Sequence, residues 1–211
     1  MSHRGVLAFA LPALLLTACF TGERPHFNDE PFPTGSMTGD AAIDAVLLKF
    51  DTPIAGPATA AYSVLTKFGN IINTAAAVVA AGNRSITIGN VRYIQTPAAQ
   101  ATCTQDESVP CAEGLDASRV SDIGVTIDFY SVEAARRLRR DAQAKIASTI
   151  PHVETIAEQS AICVDVPLAG GTAVYCALDN GMVARLDDGD VAVNLTAFGA
   201  TADSTLFQIP V

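Results

Sequence analysis

Turn dipeptides divide much of this chain into short apolar segments, and this pattern limits the fold more than any other feature. Gly-Asn pairs stand at 69–70, 82–83 and 89–90, each between apolar runs. Glycine accepts a positive φ at the first central position of a two-residue hairpin turn. We therefore predict a four-stranded antiparallel meander that folds at these three turns.

The predicted turns also determine which residues of this meander lie opposite each other. Tyr62 is expected opposite Ala77, and Ala77 opposite Ile88. Ile88 in turn faces Val91. The neighbouring row on the same face is Ala60, Val79, Ile86 and Tyr93. Polar side chains share the opposite face: Ser63, Lys67, Thr74, Ser85, Thr87 and Arg92. Because a slip of one residue would invert every side chain, the agreement of three turns supports this register.

The C-terminal third repeats the pattern around two cysteines. If the loop 168–171 closes a hairpin symmetrically, Cys163 falls opposite Cys176, close enough for a disulfide bond. Asn180-Gly181 and Asp188-Gly189 are signals for two further type I′ turns. The predicted pairs of this second four-stranded meander are Tyr175 with Leu186, Leu186 with Val191, Ala177 with Ala184, and Ala184 with Val193.

Two amphipathic helices are predicted outside the meanders. The first has Ile43, Val46, Leu47 and Phe50 at helical spacing, with Thr38 or Asp40 as its cap. The main helix is capped by Ser131 and carries an apolar stripe: Val132, Ala135, Leu138, Ala142 and Ile146. Three ion pairs are expected on the opposite, solvent-exposed face of this helix: Glu133–Arg137, Arg137–Asp141 and Asp141–Lys145.

Four arginines of the main helix leave two interpretations open: Arg136, Arg137, Arg139 and Arg140. They could form a patch for an anion or a lipid head group. The alternative is a solvated helix face that offsets part of the chain's negative charge.

The segments between these elements are less regular. Residues 97–118 are expected to form a loop. Ile123, Val125, Ile127 and Phe129 alternate with Gly, Thr and Asp, which predicts one half-buried strand. Pro151 is expected to end the helical region and to leave His152 in a loop.

A short apolar segment near the N-terminus ends in a cysteine. His3 and Arg4 precede an apolar run over residues 6–16, shorter than the about 20 residues that span a bilayer. A basic start, a short apolar run and small residues indicate a secretory signal. The motif Leu16-Thr17-Ala18-Cys19 resembles the lipobox of bacterial lipoproteins.

This resemblance implies that residues 1–18 are a signal peptide cut just before Cys19, and that Cys19 carries the acyl chains, palmitate among them. We expect a lipid-anchored protein on the extracytoplasmic face of the cell membrane, since no second apolar run is long enough to cross it. The alternative is an ordinary signal peptide that contains a cysteine. Residues 19–39, rich in proline, are expected to form a disordered tether, and residues 40–211 one globular domain.

Four further cysteines follow Cys19 in the sequence. An even number in an exported chain indicates disulfide bonds, with three possible pairings. The hairpin register pairs Cys163 with Cys176, which leaves Cys103 and Cys111 to pair with each other. No CxxC spacing suggests a zinc or thioredoxin-like site.

Charge and motif content argue against several classes of function. The formal net charge of −9 repels phosphate backbones, so nucleic acid is not an expected partner. His152 is the one histidine expected within the domain, and no GxSxG, SxxK, HExxH or phosphate-binding glycine loop accompanies it. We therefore expect no enzyme, no metal and no cofactor; the oligomeric state stays open.

Together these elements predict an α+β fold: a curved antiparallel sheet of two four-stranded meanders plus one strand, covered on one face by one or two helices. This order of elements resembles the LolA/LppX-like exported lipoproteins, which implies an apolar or lipid ligand between sheet and helices. Six residues are expected to face that ligand: Tyr62, Tyr93, Leu138, Tyr175, Ala177 and Ala184. The alternative is a cell-envelope interaction module with a solidly packed core and no ligand.

Overall fold

Cys163 and Cys176 lie directly opposite each other on neighbouring strands, as the symmetric hairpin predicts. In this computed structural model, which describes residues 32–54, 56–106, 109–123 and 131–210, their sulfur atoms form a disulfide bond. The flanking pairs Asp165–Val174 and Pro167–Thr172 also match the predicted register. A symmetric loop and a cross-strand disulfide therefore determine this hairpin together.

The described residues form one antiparallel sheet of eleven strands. Its strands are β1 (Ala58–Thr66), β2 (Ile71–Ala80), β3 (Asn83–Ile88), β4 (Val91–Gln95), β5 (Gln100–Thr104), β6 (Ala112–Glu113), β7 (Ile150–Ile156), β8 (Gln159–Leu168), β9 (Gly171–Leu178), β10 (Val183–Asp187) and β11 (Val191–Gly199). Their order is β6-β5-β4-β3-β2-β1-β11-β10-β9-β8-β7. The α+β class with an antiparallel sheet is confirmed, but two four-stranded meanders plus one strand are not.

Three strands lie where no strand was predicted. β5 and β6 occupy the region 97–118, where the Cys103–Cys111 disulfide links the end of β5 to the residue before β6. β7 includes Pro151 and His152, so the prediction of a loop at His152 is wrong. These segments are strands because β5 pairs with β4, β6 with β5 and β7 with β8. The edge position of β7 tolerates its proline.

The predicted pairing is shifted by two residues in the first two hairpins of the first meander, whereas Ile88 faces Val91 in the third hairpin as predicted. Tyr62 lies opposite Ala75 rather than Ala77, because the loop between β1 and β2 holds four residues, 67–70. The next turn is Ala81-Gly82 rather than Gly82-Asn83, so Ile88 also faces Ala75. A shift of two keeps each side chain on its predicted face.

The same kind of shift occurs in the second meander. Leu186 faces Tyr175 as predicted, but it faces Val193 rather than Val191 across the longer β10–β11 turn. Ala177 faces Val183 rather than Ala184, because the pairing shifts by one residue between Val183 and Arg185. This irregularity is a β-bulge, in which one strand has an extra residue and bends locally relative to its partner.

Two helices cover one face of the sheet, which we call the inner face and which carries Tyr62 and Tyr175. Helix α1 (Ala41–Asp51) is capped by Asp40 and buries its four predicted apolar residues. Helix α2 (Val132–Ala144) packs, like α1, against β8 and β9, and the two helices contact each other. Ile146, predicted in the apolar stripe, lies beyond the end of α2 and is exposed.

The hydroxyl group of Tyr62 links β1 to β10 across the strand between them. It donates a hydrogen bond of 3.0 Å to the carbonyl oxygen of Val183, on the far side of β11. Neighbouring strands lie about 4.8 Å apart, so this contact spans about two strand spacings. The curvature of the sheet stays a prediction.

Other parts of the chain complete the fold on both faces. A 3-10 helix spans Ala117–Ile123 and contacts β1. The strand predicted over residues 123–129 lies outside the described residues, apart from Ile123 in that 3-10 helix. On the outer face a second 3-10 helix, Ser204–Phe207, contacts β3 and β4.

The last residues of the predicted tether contact the helices. The amide nitrogen of Gly35 lies 3.1 Å from Oδ2 of Asp51, and Nε of Arg139 donates to the carbonyl oxygen of Ser36 over 2.9 Å. Residues 35–36 therefore pack onto the domain. Neither described helix is long and apolar enough to cross a membrane.

Candidate functional site

A half-open cleft lies between the two helices and the inner face of the β2–β3 hairpin. Its volume is about 390 Å³. Apolar walls come from the end of α1, from β2 and from the start of α2: Phe50, Pro53, Ile54, Val79 and Val132. The cleft therefore combines parts of the chain that are far apart in sequence.

Arg84 supplies a positive charge to this cleft. It is half-buried on β3, directly opposite Val79, so it shares the inner face with Ile86 and Ile88. Its guanidinium group forms no hydrogen bond or ion pair in the described part of the chain. Strand alternation could have revealed Arg84, because it is a charged residue in an otherwise apolar row.

Ser131 adds a hydroxyl group at the start of α2. The residue is only 8% exposed and lines the cleft. It occupies the predicted cap position, but its side chain forms no capping hydrogen bond; its carbonyl oxygen accepts one from the amide of Ala135. Sequence reasoning identified the position but not the missing bond.

The negative charges next to the cleft are compensated. Asp51, which also lines it, accepts hydrogen bonds from Arg139 and from the amide of Gly35. Glu133, in the first turn of α2, is bound by Arg136 and by Nε of Arg137, the latter at 2.9 Å. Arg84 is therefore the charge near the cleft that lacks a counterion among the described residues.

The arginines of α2 match neither predicted interpretation. Arg137 Nη1 lies 2.7 Å from Oδ2 of Asp188, and Arg139 is almost fully buried against Asp51. Arg140 donates to Oδ1 of Asp141 over 2.9 Å. These arginines fasten α2 to α1 and to the β10–β11 turn, so they form neither a free anion patch nor a simple solvated face.

The predicted ion pairs of α2 are changed accordingly. Glu133–Arg137 forms, but Asp141 is buried and binds Arg140 and Tyr175 instead of Arg137 or Lys145. Lys145 binds Asp40, the cap of α1. Burial raises the pKa of Asp40, but hydrogen bonds from Lys145 and Thr149 outweigh this effect and lower the pKa below its ordinary value.

The six residues predicted to face a ligand are all buried in the main core: Tyr62, Tyr93, Leu138, Tyr175, Ala177 and Ala184. Each tyrosine hydroxyl already has a protein acceptor: Val183 for Tyr62, Asp116 for Tyr93 and Asp141 for Tyr175. None of the six lines the cleft among the residues that the structure describes. The open volume between sheet and helices thus lies at the β2–β3 end.

His152 lies on the outer face of the sheet, next to the disulfide of the β8–β9 hairpin. Glu154 also lies there, and the ligand atoms of these two residues and the sulfurs of Cys163 and Cys176 fall within 4.8 Å of one another. Because the two sulfurs are bonded to each other, this group offers only two free donors, fewer than a structural zinc site uses. Cys19 lies outside the described residues.

No model of a known protein family matches this chain, and no curated protein matches it in sequence. Among solved structures, MucB is 10% identical with a TM-score of 0.45, over 81% of this chain and 63% of that one. The MucA/MucB complex of Pseudomonas aeruginosa is also 10% identical, with a TM-score of 0.45 over 79% and 60%. LprF from Mycobacterium bovis is 10% identical, with a TM-score of 0.41 over 81% and 96%. At this level of similarity no function is carried over from these proteins.

Proposed function

We propose that this protein is an extracytoplasmic lipoprotein, anchored through Cys19, that binds an apolar ligand in the cleft between its helices and the β2–β3 hairpin. The cleft is the observation that carries the proposal. The cleft is open to solvent on one side and adds a volume of about 390 Å³ beside the close-packed core. Its size falls within the range of about 300–1,000 Å³ typical of ligand pockets.

The composition of the walls favours an apolar ligand. Phe50 and Val79 belong to the core and also line the cleft. The alkyl part of a bound ligand would therefore pack directly against core side chains. Removing apolar area from water supplies roughly 25 cal/mol per Å² of binding energy before the costs of association. Binding, rather than catalysis, is the activity that these side chains support.

Filling the cleft tests this proposal. Val132 lines the cleft and is half-buried, so Val132→Trp should place an indole ring in the open volume. We expect 1-octanol to bind wild type and to lose its binding to this variant. Val153→Trp, at an exposed position of the edge strand, is the matched control and should bind normally. If wild type binds no alkyl probe, or if Val132→Trp binds octanol as tightly as wild type does, the cleft is not the site.

The anchor is tested separately from the cleft. Cys19→Ala removes the only lipidation position of the lipobox, so the protein should leave the membrane fraction and change in mass. Cys19→Ser serves as the conservative control and should behave in the same way, because the chemistry needs a thiol. Fractionation and mass unchanged from wild type would disprove the anchor.

An exposed hairpin tip favours the second candidate function, a protein-interaction module. Phe68 is 93% exposed at the β1–β2 loop, and the neighbouring Ile71 and Ile72 are also exposed. Contiguous apolar surface of this kind marks interaction sites. A photo-crosslinking residue at position 68 should then capture one defined envelope protein, whereas the same residue at Val153 should not. Equal or absent crosslinking at both positions would reject this function.

A further inference from the structure

We infer that the cleft ligand is an amphiphile with an anionic head group, a carboxylate or a phosphate, held by Ser131 at the start of α2 and by Arg84 on β3. This inference rests on the proposed function, because it specifies the chemistry of the ligand in the same cleft. Three independent features of the described residues support it.

The first feature is the unused hydroxyl group of Ser131. The residue is only 8% exposed, and its side chain forms no hydrogen bond with the described part of the chain. Every fully buried side-chain oxygen or nitrogen of the described residues has a partner, so this hydroxyl keeps some exposed surface through which a ligand can reach it. A polar atom of a ligand in the cleft that Ser131 lines would give the hydroxyl a partner.

The second feature is the backbone at the same place. The first amide groups of a helix have no acceptor within the helix, and the helix dipole adds positive potential there. In α2 the first such hydrogen bond runs from the amide of Ala135 to the carbonyl oxygen of Ser131, so the amides of residues 132–134 have no acceptor within the helix. Carboxylate and phosphate groups are the ligands that bind to helix N-termini of this kind.

The third feature is the charge of Arg84 at the same cleft. Asp51 is neutralised by Arg139, and Glu133 by Arg136 and Arg137, so Arg84 leaves a net positive charge. A cationic ligand would therefore be repelled, and an uncharged one would leave a half-buried guanidinium without a partner. An anion next to Arg84 and Ser131 satisfies both groups.

The apolar walls make the ligand an amphiphile rather than a free anion. Phe50, Ile54, Val79 and Val132 surround the polar groups, so inorganic phosphate would leave this surface uncovered. An alkyl chain attached to the anion would cover it. The polar and apolar parts of the cleft thus match one molecule.

The test compares four probes on the full chain: octanoate, octyl phosphate, 1-octanol and inorganic phosphate, measured by calorimetry in a nonionic detergent. We expect the two charged amphiphiles to bind wild type at least about tenfold more tightly than octanol, since hydrogen bonds to charged groups are worth about a factor of ten or more. Arg84→Gln and Ser131→Ala should weaken the binding of the two anions more than that of octanol and so remove this preference. Arg92→Gln is the matched control, because Arg92 is another half-buried arginine of the sheet but lines a different cleft.

Each outcome is decisive. If octanol binds as well as the anions, or if Arg84→Gln and Ser131→Ala keep the preference, the anionic head group is refuted while the apolar site stands. If inorganic phosphate alone binds as tightly as octyl phosphate, the ligand is a free anion and the amphiphile is refuted. If no probe binds folded wild type, the proposed function itself fails. Thermal melts of each variant ensure that a lost signal does not come from unfolding.

Discussion

The phenolic oxygen of Tyr175 lies 2.6 Å from Oδ2 of Asp141, between β9 and α2. Both residues are almost completely buried. The other carboxylate oxygen of Asp141 accepts a hydrogen bond of 2.9 Å from Nε of Arg140. Burial, followed by the negative charge of Asp141, raises the pKa of Tyr175 well above its ordinary value, so the phenol stays a donor. This contact fixes α2 on the sheet.

Tyr175→Phe should therefore destabilise the protein. The variant removes a hydrogen bond to a buried carboxylate, which is worth about 1.5–3 kcal/mol in the free energy of unfolding. Urea denaturation measures this loss. Tyr93→Phe is the control: its hydroxyl donates to a neutral carbonyl, that of Asp116, so its loss should be nearer 1 kcal/mol. A smaller loss for Tyr175→Phe than for Tyr93→Phe would contradict this account.

Much of the fold could be predicted because alternation and turns are local signals. The β8–β9 register was predictable because the symmetric loop and the two cysteines agree. The β3–β4 register and the pair of Tyr175 with Leu186 were also predicted correctly. The β1–β2, β2–β3 and β10–β11 registers were shifted by two, because a turn dipeptide marks a turn but does not give its length. Lys67 and Phe68 extend the β1–β2 loop to four residues, and the Gly-Asn dipeptide alone does not predict this length.

The candidate site was less predictable because its contacts are distant in sequence. Arg137 of α2 binds Asp188, which is 51 residues away in the sequence. Whether these arginines are paired or free therefore depends on the tertiary fold. Alternation could have marked Arg84 as a charge on the apolar face, because it stands in one row with Ile86 and Ile88. The missing bond of Ser131 depends on where its side chain lies, which the sequence pattern does not specify.

Acid should weaken the attachment of α2 to the β10–β11 turn. Burial raises the pKa of Asp188, but the charge of Arg137 and its hydrogen bond, with two backbone amides, outweigh this and lower the pKa. A lowered pKa in the folded state gives stability that is complete above the ordinary value of 3.8 and is lost as the pH falls through the lower folded value.

Asp188→Asn should accordingly cost about 1–3 kcal/mol at pH 7 and flatten the dependence of stability on pH below about 4. Unfolding free energies measured from pH 7 down to 2 provide the comparison. The control is Asp187→Asn, since Asp187 is more exposed and its pair with Lys67 should be worth at most about 1 kcal/mol. Parallel pH curves for wild type and Asp188→Asn would show that this carboxylate does not contribute.

The disulfide between Cys163 and Cys176 should stabilise the protein measurably. It joins residues 13 apart in sequence, and in the chain-entropy model a loop of about this size contributes about 3 kcal/mol. The double variant Cys163→Ala/Cys176→Ala should melt at a clearly lower temperature. Cys103→Ala/Cys111→Ala opens a shorter loop, with a separation of 8, outside the main core, so it should cost less. A larger loss for the second variant would reverse this ranking.

Gly181 makes a close contact with the end of α1. Its φ is +90°, and a Cβ atom there would lie 2.9 Å from the carbonyl oxygen of Lys49 and 3.0 Å from that of Thr52. Both neighbours are backbone atoms, which cannot move aside as a flexible side chain would. The turn after β9 and the last turn of α1 therefore fit together only with glycine at this position.

Gly181→Ala should thus be destabilising in two ways. The positive φ alone costs a residue with a Cβ about 1–2 kcal/mol, and the contact forces α1 away from the turn. Because Phe50 and Thr52 at this end of α1 also line the cleft, octanol binding should weaken as well. Gly189→Ala is the matched control: it lies in the next turn, with open space around it, so its stability should stay within about 0.5 kcal/mol of wild type. Equal melting temperatures for the two variants would show that α1 moves away from the added Cβ atom at no cost in stability. If Gly181→Ala is destabilised but binds octanol as wild type does, the end of α1 does not shape the cleft.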